Sequence, residues 1–94
     1  MSDLRIAFIG TGGIAQRHLK TLTALLGEKP IIAACDVDRD KASAACQQFG
    51  GNPYEDAALM VKAEQPDIMF ICAPPAVREE PIKLCCRKGI PFFC

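Results

Sequence analysis

Short apolar runs alternate along the chain with longer segments in which apolar residues recur at helical spacing. The strand-like runs are residues 4–9, 31–35, 68–72 and 91–94, and residues 52–54 can form either a turn or a very short edge strand. This order, β-α-β-α-(β)-α-β-α-β, predicts an α/β fold built on a doubly wound parallel sheet with right-handed crossovers. Because the sequence stops within the last strand-like run, we expect an incomplete sheet and a longer parent protein.

The helix-like segments carry signals for where each helix begins and ends. Apolar residues recur from Ile14 to Leu26, which predicts a helix with these residues on its buried side. Asp38 is placed to cap the second helix. A fourth helix is expected over roughly residues 77–88. Pro81 is compatible with this helix only if it lies near the first turn, where N–H groups lack helical partners. The continuous apolar run at 68–72 predicts a strand that is buried on both faces.

The composition is that of a folded domain with no net charge. Of 94 residues, 50% are hydrophobic, and 11 basic residues balance 11 acidic ones. A broad electropositive surface for nucleic acid or anionic membrane is therefore not expected. No apolar run reaches the roughly 18–20 residues that a membrane-spanning helix needs. The opening Met-Ser-Asp-Leu-Arg lacks the pattern of a signal peptide, so we expect a cytoplasmic protein.

Six cysteines in so short a chain raise the question of disulfides or a zinc site. They fall inside strand-like and helix-like stretches rather than in turns, and no Cys-x-x-Cys pair is present. Structural zinc sites use closely spaced ligand pairs, so we expect no metal. Reduced cysteines acting as small core hydrophobes are the better interpretation. The positions concerned are Cys35, Cys46, Cys72, Cys85, Cys86 and Cys94.

A glycine-rich loop joins the first strand to the first helix and has the form G-x-G-x-x-A. Gly10 permits the tight turn, Gly12 has no Cβ and lets a pyrophosphate approach, and Ala15 lets helix and strand pack closely. The helix amino terminus adds N–H groups and the positive end of its dipole. The loop therefore predicts a dinucleotide site, with its residues Gly10, Thr11, Gly12, Gly13 and Ile14 at the phosphates.

An acidic residue completes this fingerprint at the end of the second strand. The carboxylate of Asp36 can accept hydrogen bonds from both adenosine ribose hydroxyls and would repel a 2′-phosphate, which favours NAD over NADP. The alternative is that Asp36 only ends the strand. Arg39 leaves the choice of cofactor open, because it could reach a 2′-phosphate, stack on adenine, or be an ordinary solvated residue.

Taken together, these residues resemble the Gfo/Idh/MocA oxidoreductases. The resemblance rests on Gly-Thr-Gly-Gly-Ile-Ala-x-x-His, a second strand ending in Asp, and Ile-Cys-Ala-Pro-Pro after the fourth strand, and it covers essentially all 94 residues. It implies a Rossmann domain at residues 1–94 and a separate substrate domain that provides the sugar site and most of a homo-oligomer interface. It also implies hydride transfer between a nicotinamide cofactor and a sugar, polyol or related hydroxy compound.

The resemblance carries roles to particular positions. It implies that residues 10–14 hold the pyrophosphate, that Asp36 holds the ribose and that Arg39 lies by the adenine. Cys72, Ala73 and Pro74 would line the nicotinamide-ribose side. The family's catalytic lysine lies in a Glu-Lys-Pro motif that would come after residue 94, so no catalytic residue is assigned here. The family commonly has His where this chain has Arg78, and no role is transferred to that position.

Two other functions compete with a truncated oxidoreductase. A stand-alone nucleotide-binding or redox-sensing module would need no catalytic residue, and a stop codon after residue 94 would favour it. SAM-dependent methyltransferases also combine a glycine-rich loop with an acid after the second strand. Their loop is usually preceded by an acid in the form Asp/Glu-x-Gly, which Phe8-Ile9-Gly10 lacks.

Overall fold

The computed structural model describes residues 4–94, so the first three residues of the opening Met-Ser-Asp-Leu-Arg, from which no signal peptide is expected, lie outside the described part. Strands and α-helices alternate as the sequence predicts, with one 3-10 turn, η1, before the last helix. The strands are β1 (Ile6–Ile9), β2 (Ala33–Cys35), β3 (Asn52–Tyr54), β4 (Ile68–Ile71) and β5 (Phe92–Phe93). The helices are α1 (Gly13–Leu26), α2 (Arg39–Phe49), α3 (Ala57–Glu64) and α4 (Glu79–Lys88), and η1 is Pro75–Val77.

The strands form one parallel sheet in the order β3-β2-β1-β4-β5. This confirms the predicted α/β fold with a doubly wound parallel sheet. Residues 52–54 form the edge strand rather than only a turn. The chain winds outward from β1 in one direction to β3 and then crosses to β4 on the other side. In such sheets ligands bind at the carboxyl ends of the strands, where the order reverses. That position here is between β1 and β4.

Two apolar layers sandwich the sheet, which explains why β1 is apolar at every position. Side chains alternate between the faces of a strand. Ile6 and Phe8 therefore pack into one cluster with residues of α1 and α2, while Ala7 and Ile9 join the other with residues of α3 and α4. All four residues of β1 are buried. Burial on both faces is the pattern of a central parallel strand.

Burial differs from the sequence-based expectation in β4 and in α1. Met69 is fully buried, but Phe70 on the opposite face is only half-buried, so β4 is not covered on both sides. Leu25 and Leu26, at the end of α1, are 74% and 54% exposed rather than buried. Ile14, at the first turn of the same helix, is also exposed because it faces the open end of the sheet.

The predicted helix boundaries are largely confirmed. Asp38 caps α2, and its side chain accepts hydrogen bonds from the N–H groups of Asp40 and Lys41. The fourth helix starts later than expected, because η1 comes first and α4 begins at Glu79. Pro81 consequently lies in the first turn of α4, where its missing N–H costs nothing. A left-handed Gly89 ends the helix.

The cysteines are all free thiols, as predicted, but only half of them fill the core. Cys35, Cys46 and Cys85 are buried, whereas Cys86 and Cys94 are exposed. Burial raises the pKa of the Cys35 and Cys85 thiols to about 11, so both stay protonated at neutral pH. Within residues 4–94, no group of three or more His, Cys, Asp or Glu side chains is arranged to hold a metal ion.

None of the helices described is both long and apolar enough to cross a bilayer.

The turn after β1 depends on a glycine. Gly10 has a φ of 91°, in a region of backbone conformation that residues other than glycine rarely adopt. A Cβ at this position would lie 2.9 Å from both the carbonyl carbon and the carbonyl oxygen of Cys72. The close approach of these two backbones lets β1 and β4 end side by side.

We expect Gly10→Ala to lower the free energy of unfolding by about 1–3 kcal/mol, because the new methyl group meets fixed backbone in an unfavourable conformation. Gly13→Ala is the matched control. Its Cβ would meet nothing within 4 Å, and alanine favours the first turn of α1. Urea denaturation of both variants tests this, and equal stability of the two would contradict the expectation.

Candidate functional site

A cleft of about 1300 Å³ opens at the carboxyl ends of the strands. It lies where the strand order reverses, between the glycine-rich loop and the turn after β4. Nine of the ten residues predicted for the site line it. They are Gly10, Thr11, Gly12, Gly13, Ile14, Asp36, Cys72, Ala73 and Pro74.

Arg39 is the predicted residue that does not line the cleft. It is the first residue of α2 and its side chain is exposed. Lys41, two positions later, does line the cleft. Helical geometry accounts for the difference, because successive residues point about 100° apart around the axis. The predicted place of Arg39 beside the adenine stays a prediction.

The glycine-rich loop ends in a helix amino terminus that is open to the cleft. Gly12 is the N-cap of α1, and no side chain caps the helix. The first helical hydrogen bond runs from the N–H of Gln16 to the carbonyl of Gly12, at 2.9 Å. The preceding N–H groups of the first turn have no carbonyl partner within the helix. A Cβ on Gly12 would meet nothing within 4 Å, so this side of the loop is open space. The arrangement suits an anion such as a phosphate.

The carboxylate of Asp36 is held by the same loop. Its Oδ2 accepts hydrogen bonds from the backbone N–H of Thr11 at 3.0 Å and from the Thr11 hydroxyl at 2.8 Å. Its Oδ1 accepts one from the backbone N–H of Asp38 at 2.9 Å. The two bonds from Thr11 tie the end of β2 to the turn after β1.

The environment of Asp36 keeps its carboxyl group ionised. Partial burial alone would raise its pKa, but the hydrogen bonds from Asp38 and Thr11, together with the charge of Lys41, outweigh burial and lower it below 3.8. A lowered pKa stabilises the folded chain above pH 3.8, and this contribution is lost as the pH falls through the folded-state value. At neutral pH the cleft therefore presents a full negative charge at this end.

An exposed apolar residue lies directly after this carboxylate. Val37 is 95% exposed and lines the cleft, and Ala57 and Ala58 line it too. Apolar surface beside a hydrogen-bond acceptor suits a flat aromatic base joined to a sugar. Sequence reasoning missed Val37. The available signal was an apolar residue in a turn, Asp36-Val37-Asp38, where burial was not possible.

The other end of the cleft is formed by the turn after β4. Burial raises the pKa of the Cys72 thiol, which the charge of Arg78 offsets only in part. Arg78 lines the cleft and donates from Nε to the carbonyl oxygen of Ala73 at 2.8 Å, which fixes the turn. No role for Arg78 is predicted from the sequence, because residue spacing alone does not reveal the bond to Ala73.

Aromatic side chains pack around Phe70, which lines the cleft. The rings of Phe8 and Phe70 are stacked, with their centroids 4.8 Å apart. His18 lines the cleft and lies against Phe70, with centroids 5.6 Å apart. The cleft thus combines the carboxylate of Asp36, a glycine-rich loop at an uncapped helix amino terminus, and apolar walls. This arrangement can bind an extended molecule with a sugar hydroxyl and an adjacent anionic group.

Comparisons with known proteins agree with this geometry. The family model described as "Oxidoreductase family, NAD-binding Rossmann fold" (Gfo/Idh/MocA) matches residues 4–94. The chain is 34% identical over 89 residues to a D-apiose dehydrogenase of Paraburkholderia graminis, covering 94% of this chain and 24% of that protein. It is 29% identical over 94 residues to an inositol 2-dehydrogenase of Paracoccus denitrificans, covering 97% of this chain and 28% of that protein.

Solved structures give the same result. A myo-inositol 2-dehydrogenase from Lactobacillus plantarum superposes with a TM-score of 0.85 at 30% identity, covering 99% of this chain and 28% of that one. The 3-ketoreductase KijD10 from Actinomadura kijaniata, in complex with NADP, superposes with a TM-score of 0.84 at 25% identity, covering 98% and 28%. The chain spans about a quarter of the length of these relatives.

The glycine-rich loop, the acid after β2 and the parallel sheet that brings them together occur in a chain that the family model matches throughout its described part. The chain belongs to the Gfo/Idh/MocA oxidoreductase family and has the fold of that family's NAD-binding Rossmann domain.

Proposed function

We propose that residues 1–94 are the cofactor-binding domain of an oxidoreductase that transfers a hydride between NAD(H) and a sugar, polyol or related hydroxy compound. The observation that carries this proposal is that Asp36 is hydrogen-bonded to the glycine-rich loop and that both line one cleft. The names of the relatives, which include D-apiose and inositol dehydrogenases, support the substrate class.

Each part of the dinucleotide has a proposed partner in the cleft. The pyrophosphate would lie on residues 10–14, against the open amino terminus of α1. The adenosine ribose would donate a hydroxyl to Asp36, with Val37 beneath the adenine and Arg39 at its outer edge. Residues 72–74 would line the nicotinamide-ribose side.

NAD is the proposed cofactor in preference to NADP. The ionised Asp36 lies where the ribose hydroxyls would bind, and a 2′-phosphate at that place would bring two negative charges together. Lys41 lines the same end of the cleft and could offset part of this repulsion. One of the structural relatives holds NADP, so cofactor preference within the family depends on local residues such as these.

The proposed reaction divides between this domain and the rest of a longer protein. When bound, the cofactor would supply a hydride acceptor for the oxidation of a carbinol carbon to a carbonyl group, with the hydroxyl proton passing to a base. This domain would bind and orient the cofactor. The proposed substrate site and proton acceptor lie outside it, because the chain covers only 24–28% of its relatives. A cytoplasmic homo-oligomer that binds neither nucleic acid nor membrane completes the proposal.

Titration of the chain with NAD⁺ and NADP⁺ tests the cofactor site directly. We expect NAD⁺ to bind more tightly. In Asp36→Asn, NAD⁺ should bind about tenfold or more weakly, because a hydrogen bond to a charged acceptor becomes one to a neutral group. The difference in affinity between NAD⁺ and NADP⁺ should also become smaller, because the charge that repels a 2′-phosphate is gone.

Asp67→Asn is the matched control for this titration. Asp67 lies before β4, at the opposite end of the sheet, where it accepts a hydrogen bond from the N–H of Arg5 at 2.9 Å. Its substitution removes the same charge without touching the cleft, and NAD⁺ affinity should not change. Equal effects of the two substitutions, or no binding by the folded wild-type chain, would rule the proposed site out.

Gly12→Ala separates binding from folding. The added methyl group meets no protein atom within 4 Å, so the melting temperature should stay within a few degrees of the wild type. The same methyl group enters the space proposed for the pyrophosphate, so NAD⁺ affinity should fall at least tenfold. Calorimetry with NAD⁺ and thermal melting measure both effects. Retained affinity would place the pyrophosphate elsewhere.

A further inference from the structure

Thr11 is a polar side chain that the fold buries, although the dinucleotide fingerprint leaves its position open to any residue. It is only 6% exposed and is the one buried residue with a polar side chain among the core positions of residues 4–94. Its hydroxyl donates to Oδ2 of Asp36 at 2.8 Å, and its N–H donates to the same oxygen. A buried hydroxyl aimed at a carboxylate in the cleft invites a functional explanation.

The acceptor capacity of Asp36 limits how it can hold a ribose. An ionised carboxylate offers about four lone-pair positions, two on each oxygen. Thr11 occupies both positions on Oδ2, and the N–H of Asp38 occupies one on Oδ1. One acceptor position remains, on Oδ1. The carboxylate can therefore take one ribose hydroxyl without losing a protein donor, rather than both hydroxyls as expected from the sequence.

We propose that Thr11 is a positioning residue that sets the cofactor preference of the site. Its hydroxyl holds Oδ2 in the loop, so that Oδ1 faces the cleft as a single, charged acceptor for one ribose hydroxyl. A ribose hydroxyl fits this acceptor because it can donate a hydrogen bond. A fully ionised 2′-phosphate has no O–H group and cannot donate a hydrogen bond to Oδ1. This inference rests on the proposed dinucleotide function of the site.

The charged groups around Asp36 link the orientation of its carboxylate to the choice between NAD and NADP. Lys41 is the cation whose charge acts on the carboxylate. Glu55 and Asp56 also line the cleft, and the buried thiol of Cys35 lies beside Asp36 in the chain. Without the Thr11 hydroxyl, the carboxylate loses one of the three hydrogen bonds that hold it and can shift toward Lys41. An ion pair between them would remove much of the repulsion that a 2′-phosphate meets.

Thr11→Val and Thr11→Ser test this role. Valine has the shape of threonine and keeps the backbone donor but lacks the hydroxyl, while serine keeps both donors. In Thr11→Val we expect NAD⁺ to bind about tenfold more weakly and NADP⁺ to change little, so that the affinity ratio falls about tenfold. The Asp36 carboxyl pKa, followed by carbon NMR, should rise because one of the bonds that lower it is lost. In Thr11→Ser, the NAD⁺/NADP⁺ affinity ratio and the Asp36 pKa should stay at their wild-type values.

The outcomes separate this inference from the function on which it rests. A wild-type chain that is folded but binds neither dinucleotide would overturn the proposed function and this inference with it. Wild-type binding together with an unchanged ratio and an unchanged Asp36 pKa in Thr11→Val would overturn this inference alone. Equal weakening of both cofactors would also overturn it, because that is the effect of a merely structural residue. Thr11→Ala serves as the second variant should valine prevent folding.

Discussion

The site depends on the hydrogen bonds that hold β1 between two parallel neighbours. Ile9, the last residue of β1, is in register with Cys35 of β2 and with Ile71 of β4. The N–H of Gly10 donates to the carbonyl of Cys35, and the N–H of Cys72 donates to the carbonyl of Ile9, each at 2.7 Å. Three strands therefore end at one level. The loop, the acid and the turn after β4 meet there because each comes directly after one of them.

Close packing at this level leaves little freedom in the residues just after each strand. Gly10 passes against the backbone of Cys72, where a side chain would not fit. Thr11 then turns inward to Asp36, and the chain enters α1 with Gly12 facing open space. The same turn thus contains Gly10, on which stability depends, and Gly12, which faces the proposed binding site. The ordered carboxylate and the open helix terminus are two consequences of one turn.

Much of this arrangement could be predicted from sequence because it arises from local patterns. Alternating periodicities determine the order of elements, and parallel connections then leave few topologies. Asp38 could be identified as a cap from the residues around it. The bond between Thr11 and Asp36 could not, because it joins side chains from two different strand ends. The exposure of Leu25 and the position of Lys41 rather than Arg39 in the cleft also depend on where each helix lies on the sheet.

A crystal structure of the chain with NAD⁺ would test the central claim most directly. We expect the pyrophosphate over Gly12 and one ribose hydroxyl on Oδ1 of Asp36, with the Thr11 hydroxyl still bound to Oδ2. A dinucleotide bound elsewhere would contradict the assignment of the cleft. A carboxylate released from Thr11 and bound to both ribose hydroxyls would contradict the proposed way in which the loop and the acid work together.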